Sequence, residues 1–205
     1  MKMHNTICMI IISLVLFMFS CSSEDNPTIT IASGSDGFIP LKVGNSWTYQ
    51  ATIYDLDSNI TYQGTYLQEV FASLVIDKLT WYYIDNEPIA EKYPRYTNKK
   101  DGYYEIEYET DKVDLKFKYP CSKGESYLYG DHYIYVLSTD TIITTTRGNF
   151  NCILYRLQFL DPGFPGLRYN ITEWFISPEI GIIRYYSFNP NSSRLLWELL
   201  SYNLE

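Results

Sequence analysis

The stretch that most constrains this chain runs from Tyr103 to Tyr119. Tyr104, Ile106 and Tyr108 alternate with Glu105, Glu107 and Glu109. After Asp111-Lys112, Val113, Leu115, Phe117 and Tyr119 alternate with Asp114, Lys116 and Lys118. A period of two is the signature of a strand with one face in a core and one in water. Two such runs around a short polar turn predict an antiparallel hairpin. With two residues in the turn, Glu107 would face Lys116, Glu105 would face Lys118, Ile106 would face Phe117 and Tyr108 would face Leu115. A slip of one residue would turn every apolar group outward, so the pattern demands a defined register.

The same logic extends along the chain. Trp47, Tyr49, Ala51 and Ile53 share one face after a turn at Val43-Gly44-Asn45. Asp55 to Asn59 is polar turn chemistry before a strand from Ile60. It imitates the opening of a calcium loop, but Ile60 and Tyr66 stand where an EF-hand needs Gly and Glu. Residues 66–76 carry a helical stripe, yet Asp77-Lys78 and the run after it favour a strand and hairpin. Asn86 to Lys100, with two prolines and many charges, reads as a long loop or short helix. Strands are then expected at 127–129, 133–139, 141–146, 152–160, 169–176 and 182–188, while 195–202 fits either a helix, by the spacing of Leu195, Leu196, Leu199 and Leu200, or a last strand. Their connections are too short for parallel crossovers, so sequence neighbours should pair antiparallel. Tyrosine, at 21 residues, is in surplus and suits pleated, half-buried surfaces. The predicted fold class is all-β: a curved antiparallel meander sheet or half-barrel, with few or no helices beyond the amino-terminal segment.

That amino-terminal segment directs the chain elsewhere. Lys2 is followed by an almost unbroken apolar run, Ile7 to Phe19, and then by Ser20-Cys21. A basic start and an apolar stretch shorter than the ~18 residues of a spanning helix describe a secretion signal. The expected organisation is a signal peptide at 1–20, an acidic, Ser/Thr-rich tether at 21–37 and one β domain at 38–205. The formal net charge of −8 argues against nucleic acid as a partner. Cys121 and Cys152 lie in the exported part, where disulfides persist; a bond between them and two free thiols are both open. Metal ligands and cofactor motifs are not recognisable: His132 is the one histidine after the signal, and no CxxC spacing occurs. No nucleophile motif surrounds His132, and no catalytic residues are assigned.

Ser20-Cys21 resembles the lipobox of bacterial lipoproteins, although Met18 and Phe19 are bulkier than its usual residues. The resemblance implies that the Cys21 sulfur takes a diacylglycerol and the new amino terminus a further acyl chain, so that the membrane is a partner through these chains. Glu24-Asp25 resembles the surface-export tag of Bacteroidota lipoproteins, which implies the outer membrane and its outward face. Pro40 to Tyr49, Gly148 to Cys152 and Ser177 to Tyr185 resemble pieces of uncharacterised Bacteroidota envelope lipoproteins. Those look like curved half-barrels, similar in outline to the lipoprotein carriers and receptors of the outer membrane that hold acyl chains in a concave face. Asp140-Thr141-Ile142 resembles an O-glycosylation acceptor of the same group, with Thr141 as the acceptor. The expected role is a non-catalytic envelope lipoprotein that holds a hydrophobic small molecule or an envelope protein against its concave face. Trp47, Tyr49, Trp81 and Tyr83 are the candidate ligand-facing aromatics. The alternatives are a structural accessory of an envelope assembly, with these rings as plain core, and an envelope hydrolase.

Overall fold

The computed structural model describes residues 37–85, 94–106, 110–160, 169–190 and 192–205. Ser35–Glu205 forms one compact unit, and residues 1–36, including Cys21 and the Glu24-Asp25 pair, lie outside the described residues. Within the described residues the structure is all-β, with twelve antiparallel strands in a single sheet. They are β1 Ser46–Tyr54, β2 Ile60–Ile76, β3 Leu79–Asp85, β4 Arg95–Lys99, β5 Gly102–Ile106 and β6 Val113–Lys118. Then come β7 Ser126–Tyr129, β8 His132–Thr145, β9 Gly148–Leu160, β10 Tyr169–Ser177, β11 Gly181–Asn189 and β12 Ser193–Asn203.

The sheet order runs β6-β5-β4-β3-β2-β1-β12-β11-β10-β9-β8-β7. Each strand pairs with its sequence neighbour, as short connections require, with one exception and one addition. The first and last strands pair with each other along all of β1, from Ser46–Asn203 to Tyr54–Arg194. The consecutive strands β6 and β7 form the two ends of the sheet. The sheet therefore curls into a nearly closed barrel, further round than a half-barrel.

Local chemistry explains the turns. Asp77 and Lys78 have φ of 49° and 68°, the left-handed pair of a two-residue hairpin turn between Ile76 and Leu79. Asp55 accepts the Asn59 N–H at 2.8 Å and its side-chain amide at 2.9 Å, so both carboxylate oxygens serve the β1–β2 turn. The turn at 178–180 ends on Gly181, whose φ is +109°; a β-carbon there would sit 3.2 Å from the Trp47 indole nitrogen. One end of the barrel is filled by the segment before β1. Phe38, Ile39 and Leu41 are buried, and Phe38 stacks on Tyr119 with centroids 4.5 Å apart. Asn98 ties this segment to β4, accepting the Ile39 N–H and donating to the Ile39 carbonyl at 2.7 Å.

Several expectations need correction. Arg95–Lys99 is a strand rather than part of a loop or helix. Arg95, Asn98 and Lys99 have little strand preference, but Tyr96 and Thr97 favour a strand, Tyr96 is buried toward the interior and the flanking strands supply the ladder. The runs at 133–139 and 141–146 are one strand, β8, with register irregularities near Ser138 in place of a break at Asp140. The hairpin register also differs: Tyr103 faces Phe117, Tyr104 faces Leu115, Glu105 faces Asp114 and Ile106 faces Val113. The connection is longer than two residues, and a bulge lies between Tyr103 and Tyr104. Glu107 and Tyr108 fall outside the described residues.

Candidate functional site

The interior is built from aromatic rings. Tyr96 stacks on Tyr103 at 5.3 Å, Tyr103 on Phe117 at 5.9 Å, and Phe117 meets Trp174 edge-on at 5.4 Å. Trp174 continues to Tyr185 at 6.0 Å and Tyr185 to Trp197 at 4.9 Å. Tyr49 lies 6.0 Å from Trp197. These contacts run from the β4–β6 wall across to β10–β12 and back to β1. Offset and edge-on ring pairs add stability beyond the area they bury.

Between these walls is a cavity of about 230 Å³, partly open to solvent. Trp47, Tyr49, Tyr96, Phe117, Trp174 and Trp197 are among its lining residues. Two lining groups also brace the barrel. Trp47 donates its indole N–H to the Ile180 carbonyl at 2.6 Å, and Tyr49 donates its hydroxyl to the Ile182 carbonyl at 3.1 Å. Burial holds the Tyr49 and Tyr103 hydroxyls well above the usual tyrosine range, and Tyr96 is pushed up to about 12.

Lys116 is the cation in the lining. Its ammonium pairs with Glu105 at 2.7 Å and stands 5.2 Å from the centre of the Tyr96 ring. Tyr129 donates its hydroxyl to the same carboxylate oxygen, Glu105 Oε2, at 2.9 Å. Desolvation opposes both charges. For Lys116, Tyr96, Glu105 and Tyr129 outweigh it and hold the ammonium well above the ordinary lysine range. For Glu105, the contrary pull of Lys116 and the Tyr129 hydroxyl holds the carboxyl below its ordinary range. The pair is therefore charged and internal, although alternation in the sequence assigned both residues to the solvated face. Glu105 shares its strand face with Tyr103, and the register passes from Phe117 to Leu115, so Lys116 is the extra residue of the bulge; no local sequence signal marks either.

The other candidates are distributed differently. Trp47 and Tyr49 line the cavity, whereas Trp81 and Tyr83 do not. Tyr82 pairs with Tyr96 on the inner side, so alternation puts Trp81 and Tyr83 on the opposite face of β3. Trp81 is buried there, 5.8 Å from the Lys99 ammonium, and Tyr83 touches the exposed Phe71. In the partner strand β2 the register skips Phe71, between Val70 and Ala72.

Cys121 and Cys152 are free thiols, so the disulfide left open by the sequence is not formed. Cys121 lies 3.5 Å from the Tyr155 hydroxyl, and Cys152 is buried within β9. His132 is exposed at the start of β8, its ring stacked on Phe159 at 5.0 Å. Thr141 is half-buried and pairs with Cys152. Among the described residues no three His, Cys, Asp or Glu side chains converge as a metal site would require.

Compared by sequence, the chain matches no described family and no curated protein. Compared by shape, it is similar to the crystal structure of a candidate lipoprotein from Parabacteroides distasonis. The identity is 14%, the TM-score 0.49, and the match covers 82% of this chain and 99% of the other. It is similar in the same way to a candidate exported protein with a YmcC-like fold from Bacteroides fragilis, at 13% identity and a TM-score of 0.49. That match covers 82% of this chain and 99% of the other. Overlap of this extent leaves the role of the chain to its own residues.

Proposed function

We propose that this chain is an outer-membrane lipoprotein, anchored through acyl chains on Cys21, whose barrel holds an apolar group in its interior without catalysing a reaction. The observation that carries the binding role is the partly open aromatic cavity of about 230 Å³. A core plugged by its own side chains would have left no such space, since protein interiors pack to crystal-like density. The signal-like residues before Cys21 and the pair Glu24-Asp25 support the anchor and an outward orientation. Several acyl chains, at about 0.8 kcal/mol per buried CH₂, give durable attachment.

Native mass spectrometry of the protein purified from its own envelope tests the binding role. A co-purifying apolar species supports it; a bare protein mass, with no uptake of any added apolar molecule of the envelope, small or lipid, removes it. Metabolic labelling with a fatty acid, compared with Cys21→Ala, tests the anchor separately.

A second reading has an observation of its own. Along β2 and its turn, Leu67, Phe71, Val75 and Leu79 are 55%, 42%, 69% and 38% exposed. A stripe of this kind fits an accessory subunit that docks on another envelope protein. Cross-linking in intact cells from a photoreactive residue at position 75 would capture that partner.

A further inference from the structure

We infer that the ligand of the interior cavity is a compact apolar group, of one-ring to two-ring size, that carries a neutral hydrogen-bond acceptor and lands on Lys116. The inference rests on the binding role proposed above and names the chemical class it selects.

Size comes first. A dry apolar cavity of about 150 Å³ admits benzene. The space here, about 230 Å³, holds a ring with a short substituent but falls below the range of drug-sized pockets, which begin at roughly 300 Å³. A long acyl chain would not fit wholly inside this volume. The walls are mainly faces and edges of Trp, Tyr and Phe, which favour a flat or compact apolar body.

Polarity comes next. An ammonium has three N–H donors. Among the described residues, Glu105 takes one, and the centre of the Tyr96 ring stands 5.2 Å from the nitrogen. Lys116 also borders the cavity, while Glu105, whose paired oxygen also accepts the Tyr129 hydroxyl, does not line it. A ligand therefore meets a donor. A hydrogen bond from a charged donor is among the stronger ones in a protein. The nearby Glu105 carboxylate balances the ammonium, so the pair has no net charge to attract a full anion. A ligand cation would face Lys116 directly. A carbonyl is the group that this arrangement rewards.

The test uses three probes of nearly equal size: acetophenone, ethylbenzene and the 2-phenylethylammonium ion. Binding to the chain from residue 21 onward, with Cys21→Ser to remove the anchor, is followed by tryptophan fluorescence and ligand-observed NMR. The expected result is acetophenone tighter than ethylbenzene by about tenfold, the worth of a hydrogen bond to a charged donor, with the cation not bound. Lys116→Met combined with Glu105→Gln removes donor and counter-charge together and should erase the preference while ethylbenzene still binds. Equal binding of acetophenone and ethylbenzene to the unaltered site overturns the inference and leaves the cavity role standing. A preference that survives in the double variant, or binding of the cation, also overturns it. Failure of all three probes overturns the cavity role and the inference with it. The unaltered protein alone decides between these outcomes if the double variant does not fold.

Discussion

The barrel is closed in two places by different means. At β1 and β12 the first and last strands meet in a continuous backbone ladder. At β6 and β7, neighbours in sequence, side chains close the gap. The Tyr127 hydroxyl accepts the Lys118 N–H at 3.1 Å and donates to the Lys116 carbonyl at 3.0 Å. Tyr155 donates to the Lys118 carbonyl at 2.6 Å, and Lys118 pairs with Glu125 at 2.8 Å. Tyrosine hydroxyls thus take positions that a neighbouring strand would fill. An edge strand with bare backbone groups invites foreign pairing. Here the edge of β6 is satisfied from within. The comparison teaches that a ladder locks every residue, whereas a side-chain seam locks a few points and can give way at them.

The largest effect is expected at the ladder side. Trp47→Ala removes a buried ring and its bond to Ile180, and should cost about 3–5 kcal/mol in chemical denaturation. A loss below about 1 kcal/mol would show that the β1–β12 closure does not depend on this ring. At the seam, Tyr127→Phe with Tyr155→Phe keeps the rings and removes the hydroxyls, leaving backbone groups of β6 unpaired. A loss of about 1–3 kcal/mol for each is expected. Hydrogen exchange sharpens the contrast: the Lys118 amide should exchange faster in this variant, with β1 and β12 amides unchanged.

The pH response comes next in size. Burial raises the tyrosines of the seam, Tyr127, Tyr129 and Tyr155, above their ordinary range. A group with a raised folded pKa gives stability that is complete below its unfolded value, near 10, and that is lost as pH climbs through the folded value. Alkaline unfolding should therefore begin above pH ~10, with tyrosinate absorbance and loss of tryptophan fluorescence structure rising together. Glu105 works in the opposite direction. Its lowered pKa gives stability that is present above about 4.3 and is lost as pH falls through the folded value. Glu105→Gln should flatten the acid limb of a stability–pH profile. The smallest effect belongs to the exposed pair of the seam. Glu125→Gln should leave the denaturation midpoint where it is, because surface pairs are screened by water. A clear shift would mean that charge, and not the tyrosines, holds the seam.

Much of this fold is legible in the chain. Alternation at 47–53 and 113–118 announces strands, and Asp77-Lys78 and Pro178 to Gly181 announce turns at the places where they are found. Half of the suggested site is legible too: Trp47 and Tyr49 line the cavity by the same alternation that named them. Trp81 and Tyr83 follow an equally good alternation and face the other way. A period of two says that a strand has two faces and is silent about which one meets the interior.

The sequence by itself determined the strand class, the sequential meander and the places of its tight turns, because these depend on residues close together in the chain. Only the tertiary structure decided the rest. The β1–β12 pairing joins segments more than a hundred residues apart, with no local signal at either end. The inward turn of Glu105 and Lys116 needs a partner charge, the Tyr129 hydroxyl and the Tyr96 ring, all brought by other strands to offset the cost of desolvation. The cavity is what remains once the rings of several strands have packed against each other, a volume that no single strand encodes.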